Sequence, residues 1–238
     1  TSELNYIKYI KFNIEIAINF IDKIIDNCLI KSFFYIYKQS PNIINILDTN
    51  NNNILHRITE NNDYVDMIKL LISLDSSLLS KKNKDGDTPL IYHAKNNRNI
   101  CSILIEVIKN NKFKNNFMVQ NNNGDNVIHV LSNNNSNLKL IKDIIFDNSE
   151  LLNETNDDNY TPSIISTINN CEDVFYLYNS LKADLNIKDK YGNTCYHYIC
   201  LNSMCIGMAI KNDKNIYGYT PKDYCRISHS YYHFIDDV

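Results

Sequence analysis

The sequence predicts an all-α fold: a solenoid of about six helix-turn-helix units with β-turn fingers and helical caps. Three observations predict it. Six short stretches, "DTNNNNILHRI", "NKDGDTPLIYHA", "NNNGDNVIHVLS", "NDDNYTPSIIST", "DKYGNTCYHYIC" and "NIYGYTPKDYC", share one pattern: a turn followed by a helix-like run. The residues that open those runs, Asn53, Thr88, Asn126, Thr161, Thr194 and Thr220, recur at intervals of 35, 38, 35, 33 and 26. Apolar residues at helical spacing fill the intervals, and self-similarity at such a period marks stacked repeats.

Residues 1–47 precede the first turn and carry two amphipathic stretches. "NIEIAINFIDKIIDN" places Ala17, Phe20, Ile21 and Ile24 on one face, and "CLIKSFFYIYKQ" follows it. Neither has a turn signature, so both are assigned to an N-terminal helical cap, which a stack needs to cover its apolar end. The repeat array is placed at 48–220. Gly86, Gly124, Gly192 and Gly218 stand where the tight turn needs positive φ, and Asn51 and Asn159 take that place in the other two turns. Asn is the residue with a side chain that tolerates this region best. Thr88, Thr161, Thr194 and Thr220 suit N-caps, with Pro89, Pro162 and Pro221 at first helical positions, where a missing N–H costs nothing.

Second helices are read from Val65, Ile68 and Leu71; Leu104, Val107 and Ile108; Leu138, Ile141 and Ile145; and Val174, Leu177 and Leu181. "KFKNNFMVQNNN" reads as an insertion lengthening one repeat, and the Asn-rich tracts read as loops. The short last interval makes "NSMCIGMAIKN" one truncated helix, and residues 221–238 form a C-terminal cap helix.

With 44% apolar and 11% aromatic residues, the chain has enough to bury a core. A net charge of −3 and a pI near 6.0 leave no electrostatic footprint for nucleic acid. The apolar runs, such as "CSILIEVI", stop short of a membrane span, and no secretory leader is recognised in the stretch that follows Thr1. Seven cysteines, an odd number in a chain too large to need stapling, fit a reducing cytosol or nucleus. The richness in Ile, Asn, Lys and Tyr, with no Trp, is what AT-rich coding DNA produces, as in a large DNA virus, a protozoan or an intracellular bacterium.

The chain resembles the ankyrin-repeat family over roughly residues 48–225, and the period lies near that family's. "LKADLNIKDKYGNT" carries the family's end-of-repeat Ala-Asp-hydrophobic-Asn together with the next turn. The histidine of the Thr-Pro-Leu-His signature survives as His56, His129 and His197 but is Ile91 and Ile164 in two repeats. Several inner helices also lack the family's small Ala pair.

Cys195, His197, Cys200 and Cys205 lie close enough in sequence to suggest a zinc site. Their C-x-H-x2-C-x4-C spacing is not a standard zinc pattern, and in the repeat frame each has a structural place. His229 and His233, at i and i+4, lack the intervening Glu of a zincin. No catalytic residue, metal or cofactor is assigned. The resemblance implies a concave protein-binding surface built from turn tips and inner-helix ends. Candidate binding residues are Asp85, Asp87, Asp125, Asp157 and Asp158 among acidic tips, and Tyr160, Ile168, Tyr191, Leu201, Tyr217 and Tyr219 in a tyrosine-aliphatic cluster of interface character.

One long interval before shorter ones, and the ending "NIYGYTPKDYC", resemble the inhibitor-of-NF-κB family, while its Asp-Ser-Gly degron is missing. The expected function is a non-enzymatic, monomeric scaffold of viral or pathogen type. It would sequester a host signalling protein in host cytoplasm or nucleus, a Rel subunit above all, whose basic segment the acidic tips would suit. The alternatives are a poxvirus-like host-range or ubiquitin-ligase adaptor, needing a ligase-recruiting segment past Val238, and a fragment of a bacterial effector whose catalytic domain lies elsewhere.

Overall fold

The computed structural model describes residues 14–27, 29–60, 64–111, 113–204 and 211–225. The described residues form α-helices and short 3-10 turns without a strand, and the chain divides into two compact units, 1–122 and 123–238.

The first unit holds α1 (Ile14–Asp26), α2 (Ile30–Gln39), α3 (Tyr64–Leu74), α4 (Pro89–Asn96) and α5 (Arg98–Asn110). Helix α1 buries Ile21, Ile24 and Ile25, and α2 buries Phe33 and Ile36, as their amphipathic spacing requires. The Arg57 guanidinium ties α1 to the first repeat, donating to Asp22 at 2.8 Å and to the Ile46 carbonyl at 3.4 Å. Helix α4 starts as expected: Thr88 Oγ1 accepts the Ile91 N–H, and Pro89 takes the first position. Asn97 caps α5 by accepting from Asn99 and Ile100, and α5 buries Cys101, Leu104, Val107 and Ile108. The insertion folds into a 3-10 turn, Lys114–Phe117, that seats Phe117 fully in the core.

One expected helix is missing. Asn53 caps the first run, its Oδ1 accepting from Leu55 and His56 at 2.8 and 3.2 Å, yet residues 54–57 make only a turn. The run "ILHRITENND" mixes β-branched residues with Thr, Asn and Asp, whose side chains compete for backbone bonds. The Leu55 carbonyl left over accepts from His93 Nε2 of α4 at 2.8 Å.

The second unit holds α6 (Val127–Leu131), α7 (Leu138–Ile145), α8 (Pro162–Ile168), α9 (Glu172–Ser180) and α10 (Cys195–Leu201). The short α6, α8 and α10 each follow a turn, and α7 and α9 are the second helices. Val174 is buried as expected, but Leu181, just past the end of α9, is 39% exposed. Tyr178 fills the core in its stead, fully buried, with its hydroxyl on Ser132 Oγ at 2.5 Å. Val65, Leu138 and Leu177 are half-buried. A helical stretch at 221–225 follows the last turn, so the start of the expected cap helix is present. Residues 226–238 and most of "NSMCIGMAIKN" lie outside the described residues.

Candidate protein-binding surface

Every predicted positive-φ position is one: Asn51 at 60°, Asn159 at 58°, Gly86 at 75°, Gly124 at 74°, Gly192 at 75° and Gly218 at 84°. At Gly124 a second constraint applies, because a Cβ would lie 2.6 Å from the Asp157 amide nitrogen of the next turn.

The first residue of each turn does more than start it. Asp48 Oδ1 accepts from the amides of Asn50 and Asn52, both at 2.8 Å. Asn83, Asn156, Asp189 and Asn215 do the same for the third and fifth residues of their own turns. Successive turns are joined by the second residue's N–H donating to the preceding turn's third carbonyl. In the first unit these rungs are Lys84 to Asn50 and Asn122 to Asp85; in the second they are Asp157 to Asn123, Lys190 to Asp158 and Ile216 to Tyr191, all 2.9–3.1 Å.

A side-chain ladder runs beside the backbone one. Asn83 Nδ2 donates to Asn52 Oδ1 at 3.0 Å and Asn121 Nδ2 to Asp87 Oδ1 at 2.9 Å. In the second unit Asn156 donates to Asp125 at 2.8 Å and Asn215 to Asn193 at 2.9 Å. The ladder is interrupted at Asp189, which has no amide to give; the residue it would meet is Tyr160, and Asp189 takes the Tyr198 hydroxyl on Oδ2. Turn signatures alone do not reveal this ladder, although Asn or Asp at the head of each turn is its visible signal.

These bonds revise the acidic tips. Asp87, expected at a tip, is 2% exposed, because Lys95 Nζ at 2.8 and 2.7 Å and the Asn121 amide hold its carboxylate inside. Asn52 and Asn193, at the same fifth position of their turns, are likewise buried in the ladder. Asp125 is half-buried on Asn156, and Asp158 pairs with Lys190 at 2.5 Å. Asp85 and Asp157 are exposed.

The tyrosine-aliphatic set divides. Tyr160 is half-buried with its ring edge-on to Tyr198 at 6.3 Å, a packing role. Tyr191, Tyr217 and Tyr219 are 38, 63 and 50% exposed, and Ile216 beside them is 65% exposed. Leu201 is 40% exposed and Ile168 half-buried; the two line a cleft of about 330 Å³ with Asn169, Asn170, Asn202 and Ser203, at the C-terminal ends of α8 and α10. Asn202 Nδ2 braces it by donating to the Thr167 and Ile168 carbonyls at 2.6 and 3.1 Å.

The histidines and cysteines have structural work. His56, His129 and His197 each receive their own helix-opening N–H on Nδ1, from Asn53, Asn126 and Thr194. Each donates from Nε2 to the fifth carbonyl of the next turn: Asp87 at 3.0 Å, Tyr160 at 3.1 Å and Tyr219 at 3.2 Å. Burial lowers all three pKa values, favouring the neutral ring that this donor-acceptor geometry needs. Burial pushes the Cys195 thiol up to about 12, and it donates to Ser163 Oγ at 3.4 Å. Cys200, also pushed up to about 12 by burial, adjoins Cys225. Among the described residues no group of three or more His, Cys, Asp or Glu could hold a metal, and no helix is long and apolar enough to cross a membrane. Cys205, His229 and His233 lie outside the described residues.

Residues 23–116 match the family model for ankyrin repeats (3 copies). The fold is an all-α ankyrin-repeat fold, and such repeats serve as protein-binding scaffolds. The match starts inside the segment assigned to a cap, where α1 and α2 form a helix pair before the first turn. No curated protein matches the chain.

Proposed function

We propose that the chain is a non-enzymatic scaffold that captures a host signalling protein through the second unit and withholds it from its normal partners. The observation that carries this reading is the exposure of Leu201, Tyr191, Ile216, Tyr217 and Tyr219 on the late helix end and the last two turns. Exposed tyrosines around Ile216 on the last two turns have the composition of an interface hot spot, and the cleft at the ends of α8 and α10, lined by Ile168, Leu201 and four polar side chains, is a separate candidate contact in the same unit. The Tyr191–Ile216 rung holds the last two turns adjacent, so their side chains present one surface.

A Rel-type subunit is the partner class suggested by the repeat spacing and the "NIYGYTPKDYC" ending, with a viral or pathogen source and action in host cytoplasm or nucleus. The apolar and aromatic residues carry this proposal, since Asp87 and Asp158 are engaged within the fold. Titration of purified Rel subunits into the chain, beside Ile168→Asp/Leu201→Asp and Tyr217→Ala variants, tests it. The expected result is binding by the parent, weakened at least about tenfold in each variant. Absence of binding by the parent overturns the Rel assignment, and equal binding by the variants overturns the site.

A further inference from the structure

A solenoid cap is expected to turn a polar face outward. Helix α2 does not. Among the described residues of the first unit five large apolar side chains are exposed, and four of them, Leu29, Phe34, Tyr35 and Leu47, fall within residues 29–47. On α2 the inward face is occupied by Phe33 and Ile36. The outward face reads Lys31, Phe34, Tyr35, Lys38, at i, i+3, i+4 and i+7, a single stripe along one side of the helix. Phe34 is 37% and Tyr35 50% exposed, both lysines are exposed, and Lys38 Nζ sits over the Phe34 ring at 4.6 Å. Leu29, at the N-cap and outside the stripe, is 48% exposed.

Charge along the α2 stripe itself has one sign. Helix α2 carries no acidic residue, and Lys23 of the neighbouring α1 is exposed as well. Asp22 of α1 is held by Arg57. Two aromatic rings bracketed by ammonium groups are complementary to an anionic partner that also offers apolar side chains. Lysines flanking the rings supply orientation and encounter, and the rings supply the buried anchor.

We propose that the outward stripe of α2 is a second docking surface, distinct from the late-repeat site, and that its occupant is an acidic amphipathic helix of a partner protein. A ten-residue helix presents its stripe over about 15 Å, so a partner helix would meet it with two or three apolar side chains spaced i, i+3, i+4 and its carboxylates over Lys31 and Lys38. An anionic lipid surface is the weaker fit, because stable attachment there takes a polybasic cluster or a lipid chain as well.

The test uses the full chain, labelled with nitrogen-15, and a synthetic helical peptide carrying Leu at i, i+3, i+4 and i+7 with Glu elsewhere. A peptide with Lys in place of Glu and phosphatidylserine vesicles are the other arms. Expected are resonance shifts centred on residues 29–39 with the Glu peptide alone. Affinity falls about tenfold in Lys31→Glu/Lys38→Glu and in Tyr35→Ser, each shown to be folded by circular dichroism. The proposal is overturned by shifts elsewhere or none, by variants that bind as the parent does, by equal binding of both peptides, or by vesicle binding without peptide binding.

Discussion

Asp87 and Asn121 belong to successive turns, and the Asn121 amide donates to the Asp87 carboxylate at 2.9 Å while Lys95 closes on it from α4. Asp85, two residues earlier, is exposed. Asp87→Ala strips partners from a buried amide and a lysine and is expected to cost about 1–3 kcal/mol, whereas Asp85→Ala stays within about 0.5 kcal/mol. Urea unfolding of the two variants checks the contrast. Equal midpoints would show that Asp87 is a tip residue after all.

The same geometry explains why Asn and Asp are not interchangeable at the head of a turn. Where the preceding turn offers an oxygen acceptor at its fifth position, as at Asn52, Asp87, Asp125 and Asn193, the head residue is Asn. Where it offers Tyr160, the head is Asp189, bonded to the Tyr198 hydroxyl. Asn156→Asp is therefore expected to destabilise by setting two carboxylates against each other at Asp125, with the loss relieved on lowering pH. Thermal melts at pH 7.5 and 4.5 read this directly, and a variant whose deficit does not shrink at low pH contradicts it.

Much of this is legible from the sequence, and for a physical reason. Positive φ favours Gly and Asn, so the six turn conformations can be read from six letters, whereas the same conformation at Lys182 and Ser203 carries no such signal. The helix starts at Thr88 and Thr161 are legible because capping is local. What stays hidden depends on partners far away in sequence. Asp87 is buried by Asn121 and Lys95, and Tyr178 displaces Leu181 from the core through Ser132, a residue 46 positions away. The unwinding at 54–57 likewise rests on His93, which satisfies the stranded Leu55 carbonyl. Of the candidate surface, the exposure of Tyr191, Leu201, Tyr217 and Tyr219 follows from the repeat frame, while the inward packing of Tyr160 on Tyr198 does not.

Gly124 and Gly218 separate two effects of a glycine. Both have positive φ, but a Cβ at Gly124 meets Asp157 Oδ1 at 2.5 Å and its amide nitrogen at 2.6 Å, whereas at Gly218 nothing lies within 4 Å. Gly218→Ala should cost only the left-handed strain, about 1–2 kcal/mol. Gly124→Ala adds the displacement of the next turn and the Asp157–Asn123 rung. Denaturant midpoints are expected in the order parent, Gly218→Ala, Gly124→Ala; coincidence of the two variants would mean the turns do not stack as described.

The buried histidines predict acid sensitivity. Burial lowers the pKa of His56, His129 and His197, and lowers that of His93 to about 4, its Nε2 bonded to Leu55 and its Nδ1 buried without a partner. A folded-state pKa below the unfolded 6.5 means that the unfolded chain binds protons first. Stability is therefore complete above about pH 7, falls as pH drops through 6.5, and for His93 levels off below about pH 4. For His93 the loss is on the order of 3 kcal/mol across that window, because the unfolded chain gains about 1.4 kcal/mol over the folded one for each step of 1 in pH. Urea unfolding from pH 7.5 to 4.5 should show this fall, with a shallower slope in His93→Gln. A flat profile in the parent would mean that these imidazoles are charged or solvated in the folded chain. The donor-acceptor pattern linking each signature histidine to the next turn would then be wrong.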